Sequence, residues 1–261
     1  MCDQPEQILG RAIEALNSDS FPVELHHWLG LCCRFDNIAM LAFFRDRAPD
    51  VFYAKAHEAR VFEKIRSDYV AGAYVLDPIF HLLEQGAPDG IYRLSDIAPD
   101  QFRRNKYYAT YYEGTTLIDE LVFFAQPADG VSIAICIGRD ASSGRRFLAR
   151  DLAAARALAP VVNALAKRHW HDLRAESEAP DAIADQLRKR LQVATKISLS
   201  PRQGEIALLI LQGHSSVSIG LTLGISPQTV KVIRKQLYRK CEISSQAELF
   251  ALLIPYLSSV N

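Results

Sequence analysis

The sequence predicts an α+β protein in two parts: an N-terminal α-β-α sandwich around an antiparallel sheet, joined to a small all-helical C-terminal domain. Three observations carry this. Apolar residues recur at helical spacing at the start and end of 1–172, with short apolar runs bounded by turn residues between them. A polar, acidic stretch follows at 175–181. Beyond residue 199, two Ser-Pro helix starts and two glycine stops mark out short helices. A length of 261 residues suits two domains, and 49% hydrophobic residues supply a core for each.

Segments 5–16 and 22–34 read as helices, with Ile8, Ala12, Ile13 and Leu16 along one stripe and Val23, Leu25, Trp28, Leu29 and Cys32 along the other. The adjacent His26 and His27 diverge on a helix, so they cannot share a metal. Strands are expected at 38–44 and 51–54 around an Ala48-Pro49-Asp50 turn. From 57 to 85 the spacing is helical, with Pro78 as a break. Gly86 to Gly90 is a turn, 91–94 is extended, and 99–112 is helical or irregular. Segments 116–124 and 131–138 form a hairpin with a longer loop at 126–130, and alternation turns Glu120 toward solvent. A long helix over 146–171 is expected to bury Leu148, Leu152, Leu158, Val161, Val162 and Leu165. A linker, 173–197, holds a short helix at 183–193, and the C-terminal domain takes 198–261.

In that domain Ser200 can cap a helix over 201–211, with Pro201 at its first position and Gly213 ending it. Ile206, Leu209 and Ile210 share one face. A second helix at 216–223 stops at Gly224, and Ser226-Pro227 starts a third that runs to 241. Two short helices across a tight turn are the plan of a helix-turn-helix. The third helix carries Lys231, Arg234, Lys235, Arg239 and Lys240 without one acid. Val230, Leu237 and Cys241 can face the core together, leaving Gln228, Thr229, Lys231, Val232 and Lys235 outside. Such a run is either a solvated face or a surface for phosphates, and its place after two capped starts favours the second. In a major groove its lysines could reach guanine N7 and O6, with Val232 beside a thymine methyl.

Leu199-Ser-Pro-Arg202, Gln212-Gly213, Leu223-Gly-Ile-Ser226, Thr229-Val-Lys231 and Arg239-Lys240 resemble the four-helix DNA-binding domain of the LuxR family. The resemblance implies a DNA-facing set of Gln228, Thr229, Lys231, Val232, Arg234 and Lys235, in which Lys231, Val232 and Lys235 reach base edges and Thr229 and Arg234 hold the backbone or the fold. It also implies that a last helix, 245–257, pairs two copies on double-stranded DNA with a near-palindromic operator. Val217 stands where the family carries Lys, which removes a phosphate contact.

Asp77 precedes Pro78 among Val75, Leu76, Ile79 and Phe80. Burying it unpaired is costly, so it either caps the helix that Pro78 starts or accepts a hydrogen bond from a ligand. Tyr69, Tyr74, Asp77-Pro78-Ile79 and Tyr92 are similar to the diagnostic run of the LuxR autoinducer-binding domain, where an Asp accepts the amide N–H of an acyl-homoserine lactone and an aromatic residue contacts the lactone ring. That likeness implies a PAS/GAF-like sandwich with a ligand site at Asp77, Tyr69, Tyr74 and Tyr92. Tyr92 stands where those receptors have Trp, which points to a small molecule other than a typical acyl-homoserine lactone. Tyr107, Tyr108, Tyr111 and Tyr112 either pack or select a polar ligand.

Thirty acids and thirty bases cancel overall, yet from Leu199 onward six Lys/Arg face only Glu205, Glu242 and Glu248. A basic DNA reader on an acidic remainder fits that asymmetry. Cysteines at 2, 32, 33, 136 and 241 show no CxxC spacing and suggest reduced, buried thiols in the cytoplasm. No leader-like N-terminus or membrane-length apolar run is seen, so no membrane partner is expected. Neither a cofactor, a metal site nor a catalytic residue is expected. No metal-protease, P-loop or dinucleotide fingerprint occurs, and Gly213-His-Ser-Ser-Val217 lacks the last glycine of a nucleophile elbow. Two opening helices also depart from the order of a phosphorylated receiver domain. The sequence therefore points to a cytoplasmic, homodimeric, ligand-responsive transcriptional regulator of quorum-sensing type. The alternative is a ligand-independent regulator or protein-interaction module whose sensor is filled by its own side chains.

Overall fold

The computed structural model describes residues 4–176 and 182–257, so most of the acidic stretch expected as linker, 177–181, lies outside the described residues. Helices α1 (Pro5–Glu14) and α2 (Phe21–Cys32) open the fold, each with Pro in its first turn, where a missing N–H costs nothing. Strands β1 (Asn37–Phe44) and β2 (Asp50–Ala56) follow. The chain then winds through tight 3₁₀ turns at Ala59–Val61 and Ala73–Leu76 and a wider π turn at Ile65–Tyr69 between them before α3 (Pro78–Glu84). The continuous helical spacing from 57 to 85 is thus not a continuous helix. Its apolar residues cover a sheet face through short pieces, a packing that helical periodicity imitates.

Strand β3 (Gly90–Arg93) leads into the single turn α4 (Leu94–Ile97) and a second irregular run containing Phe102–Arg104, Tyr108–Tyr112 and Glu113–Thr115. Strands β4 (Leu117–Ala128) and β5 (Val131–Asp140) then form a hairpin. The longer loop expected at 126–130 shrinks to Asp129-Gly130, because β4 continues through an irregularity between Ala125 and Ala128. Helix α5 (Ala149–His169) completes the N-terminal part. Its buried stripe runs through Ala155, Ala159, Val162, Leu165 and Ala166, whereas Leu148 and Val161 are exposed. The small alanines let the helix lie close to the sheet, which rotates the stripe away from the larger residues expected there.

The five strands are antiparallel in the order β2-β1-β5-β4-β3. One face carries Ile38, Met40, Phe44, Leu121, Phe123 and Ile135 under α1, α2 and α5. The other presents Ala39, Leu41, Phe43, Val122, Phe124 and Cys136 to the irregular segments. With both faces covered, β4 is buried continuously from Asp119 to Ala125.

Helix α6 (Ile183–Thr195), inside the expected linker, packs Leu187 and Leu191 onto the C-terminal helices. These are α7 (Pro201–Gln212), α8 (Ser216–Leu223), α9 (Pro227–Lys240) and α10 (Gln246–Leu253), followed by a turn at Ile254–Tyr256. Ser200, Ser215, Ser226 and Ser245 each accept from a backbone N–H of the first turn they cap, and Gly213 and Gly224 end α7 and α8 at φ 98° and 64°. The apolar cluster on the second sheet face continues without a break through Leu187, Ile206, Ile210 and Leu211 into this domain.

Candidate functional site

Helix α9 is held by its apolar face. Val230 and Leu237 are fully buried and Cys241, just past its end, is 7% exposed, all against the core shared with α7 and α8. Ser226 fixes its entry: its Oγ accepts from Thr229 N at 3.0 Å, and its hydroxyl and that of Thr229 lie 2.8 Å apart. The opposite side carries Gln228, Thr229, Lys231, Val232 and Lys235, all exposed. Val232 is 48% exposed on a helix whose other aliphatics are turned inward. Lys231 and Lys235 form no ion pair or hydrogen bond among the described residues. Two of the other three cations are engaged: the Arg234 guanidinium lies 5.1 Å from the Tyr238 ring centroid, and Lys240 Nζ donates to Ser198 O at 2.6 Å. The structure therefore gives one helix an uncovered cationic strip, while Arg234 and Lys240 stiffen its base.

A second site lies between the sheet and the irregular segments. A cavity of ≈ 100 Å³ is lined by Asp77, Tyr69, Tyr107, Tyr111 and Tyr112, with Asn37, Ala39, Glu120 and Cys136 as its floor. The floor follows from strand register. Asn37 and Glu120 both pair with Gly138, and Ala39 and Val122 both pair with Cys136, so these side chains share one sheet face. The space that a side chain at Gly138 would take is filled by Asn37 and Leu117.

Asp77 performs the capping role: its Oδ1 accepts from Ile79 N at 2.8 Å. Its Oδ2 also accepts from the hydroxyls of Tyr69 at 2.8 Å and Tyr112 at 3.2 Å. Burial raises the Asp77 pKa, and the Ile79 amide and the two tyrosines oppose that rise. The same burial, with Asp77 alongside, pushes Tyr69, Tyr107 and Tyr112 well above the usual phenol range.

Two of the four expected ligand residues, Asp77 and Tyr69, meet in this cavity. Tyr74 and Tyr92 do not line it. Tyr74 sits edge-on to Phe80 and borders a groove against α6, because the Ala73–Leu76 turn rotates it away. Tyr92 lies on edge strand β3, its hydroxyl donating to Pro88 O at 2.7 Å and its ring edge-on to Phe124. The tyrosine cluster contributes Tyr107, Tyr111 and Tyr112. Glu120 is the residue that sequence reading misplaced: it is 9% exposed, inside the cavity wall. Burial, then the charges of Asp77 and Asp119, raise its pKa to about 8.

The helix-turn-helix is latched to this site's outer wall. Gln101 N donates to Gly213 O at 2.9 Å, Ser215 N to Asp100 Oδ1 at 2.9 Å, and Asn105 Nδ2 to Leu211 O at 3.2 Å. Asn105 also accepts from Tyr108 N at 2.7 Å, so one amide side chain ties the end of α7 to the tyrosine turn.

A capped helix-turn-helix with a bare basic face, docked on an α+β domain that holds a cavity, has the architecture of a DNA-binding regulator. Residues 197–253 match the family model GerE, described as bacterial regulatory proteins, luxR family. A candidate HTH-type transcriptional regulator in the exeN 3′ region of Aeromonas salmonicida is 31% identical over 188 residues, covering 69% of this chain and 94% of that protein. The chain belongs to the LuxR family of bacterial regulatory proteins. Its N-terminal part is similar in structure to the LBD domain of VqsR from Pseudomonas aeruginosa, at 26% identity and a TM-score of 0.55, covering 65% of this chain and 98% of that one. SdiA from Escherichia coli aligns with 97% of this chain and 96% of its own, at 16% identity and a TM-score of 0.42. No described helix is long and apolar enough to cross a membrane.

Proposed function

We propose that this protein is a ligand-responsive transcriptional regulator in which 1–172 senses a small molecule, 173–197 joins the parts and 198–261 reads double-stranded DNA. The observation that carries the reading is the uncovered strip of Lys231, Val232 and Lys235 on α9, within a domain that matches the luxR family model. Gln228, Lys231, Val232 and Lys235 enter the major groove, while Thr229 and Arg234 fix the helix through its cap and its stacking on Tyr238. The protein acts as a homodimer on a near-palindromic operator. Its ligand is a small molecule of the quorum-sensing type other than a typical acyl-homoserine lactone, a reading supported by Tyr92 lying outside the Asp77 cavity.

Fluorescence anisotropy on operator DNA, selected from random sequence, tests the assignment. Lys231→Ala with Lys235→Ala should abolish specific binding and lower the salt slope by about 2, with folding intact. Unchanged affinity would refute the helix assignment.

One observation favours a second reading. Asp77 is already satisfied by Ile79, Tyr69 and Tyr112, as a sensor filled by its own side chains would be. Mass spectrometry of small molecules released from purified protein separates the two: a specific bound compound supports a sensor, and its consistent absence with full operator affinity supports a ligand-independent regulator.

A further inference from the structure

Glu120 stands apart in the cavity because nothing answers it. It is a carboxyl side chain more than nine-tenths buried, and its Oε2 has no hydrogen-bond partner among the described residues. A buried, unpaired carboxyl is an expensive feature to keep in a core. Lys64 lines the same cavity but stands exposed, and Arg103 and Arg104 line a separate outer cleft of ≈ 500 Å³ that Glu120 also borders. None of these three cations forms an ion pair with Glu120. The nearest charges are of its own sign: Asp77 and Asp119 both push its proton affinity upward.

Asp77, by contrast, has its acceptor sites occupied, Oδ1 by an amide and Oδ2 by two tyrosine hydroxyls. A ligand that presents a donor thus finds Glu120, not Asp77, waiting. Around that carboxyl stand the aromatic walls Phe62, Tyr69, Tyr107, Tyr111 and Tyr112. Aromatic faces beside an anionic group are the surroundings that recognise an organic cation.

Resting on the reading of this cavity as a ligand site, we infer that it takes a small organic ammonium compound, whose nitrogen donates to Glu120 while its apolar part lies among the tyrosines. Burial, then the charges of Asp77 and Asp119, raise the Glu120 pKa to about 8, which favours its protonated form at neutral pH when no counter-charge stands beside it. A bound ammonium supplies the counter-charge that lets the carboxyl ionise, and the proton leaves to solvent. A neutral amide or lactone offers no such counter-charge. A carboxylate head could only share the Glu120 proton, and would bring a second negative charge beside buried Asp77 with no counter-charge.

The test uses the full chain and three probes with one apolar chain and different heads: hexylamine, hexanol and hexanoate, titrated calorimetrically at pH 7. Hexylamine should bind at least about tenfold more tightly than either of the others. Glu120→Gln, which keeps the shape and removes the charge, should lose that preference and keep its hexanol affinity. Equal or tighter binding of hexanol or hexanoate to the wild type overturns the inference but leaves a ligand cavity in place. Undiminished hexylamine binding by Glu120→Gln also overturns it. If none of the three binds while operator affinity persists, the inference falls, and the ligand-sensing reading falls with it only where mass spectrometry also finds no released small molecule.

Discussion

Glu120 and Asp77 are both buried carboxyls, yet they meet opposite fates. Asp77 takes three donors, whereas Glu120 Oε2 takes none. Glu120 holds its proton more tightly in the fold than in the unfolded chain, its pKa rising from 4.5 to about 8. Its contribution therefore favours the folded state most below pH 4.5 and is lost as pH climbs toward 8, the reverse of a salt-bridged acid. Asp77, also raised, acts in the same direction. Glu120→Gln should match the wild type near pH 5 and exceed its stability by roughly 1–4 kcal/mol at pH 8, as read from urea unfolding at the two pH values. Asp77→Ala removes a cap and the acceptor of two tyrosines, and should cost roughly 2–4 kcal/mol in the same measurement. Asp77 was legible in the sequence because Asp-Pro is a local signal with a local consequence. Glu120 was not, since alternation says which residues share a face but is silent on burial when helices and loops cover both faces of β4. Tyr74 and Tyr92 lie away from the Asp77 cavity for a related reason: spacing along a chain does not fix the direction in which a turn or an edge strand aims its side chains.

At the scale of elements, the C-terminal helices were the most readable part of the chain. Each begins with a serine whose Oγ accepts from an amide within the first turn, and two end on glycines at positive φ, all of it visible within a few residues. Ser226→Ala should destabilise the domain by roughly 0.5–2 kcal/mol through the lost Thr229 N–H bond, measured by thermal unfolding. Because that cap fixes the entry of α9, operator affinity should fall with it. The stretch from 57 to 85 was the least readable. Its apolar spacing suits a helix, but turns at Ile65–Tyr69 and Ala73–Leu76 carry the tyrosines to separate surfaces. The helix inside the expected linker, α6, was found from its spacing, but its packing on α7 depends on contacts that no local pattern encodes.

In the whole molecule the two parts share one apolar cluster and a short latch, Asp100 to Asn105 against Leu211 to Ser215. A Cβ on Gly213 would come within 2.7 Å of Asn105 Nδ2 and 2.8 Å of Phe102 Cα, and its φ of 98° is one that residues with a side chain rarely adopt. Gly213→Ala should therefore loosen the docking as well as the end of α7, and Asp100→Ala with Asn105→Ala should loosen the docking and the tyrosine turn that Asn105 holds while leaving the end of α7 intact. Hydrogen exchange in 100–108 and 211–216 checks both: faster exchange confined to these segments is expected for the double variant, and unchanged protection would show that the apolar cluster suffices. Tyr112, Leu117 and Glu120 belong at once to the inner cavity and the outer cleft, a partition one side chain thick. The Tyr112 ring stands 5.4 Å from that of Phe102, whose backbone abuts Gly213. A guest that displaced Tyr112 would press on Phe102 and, through it, on the hinge post at Gly213, only two rings away.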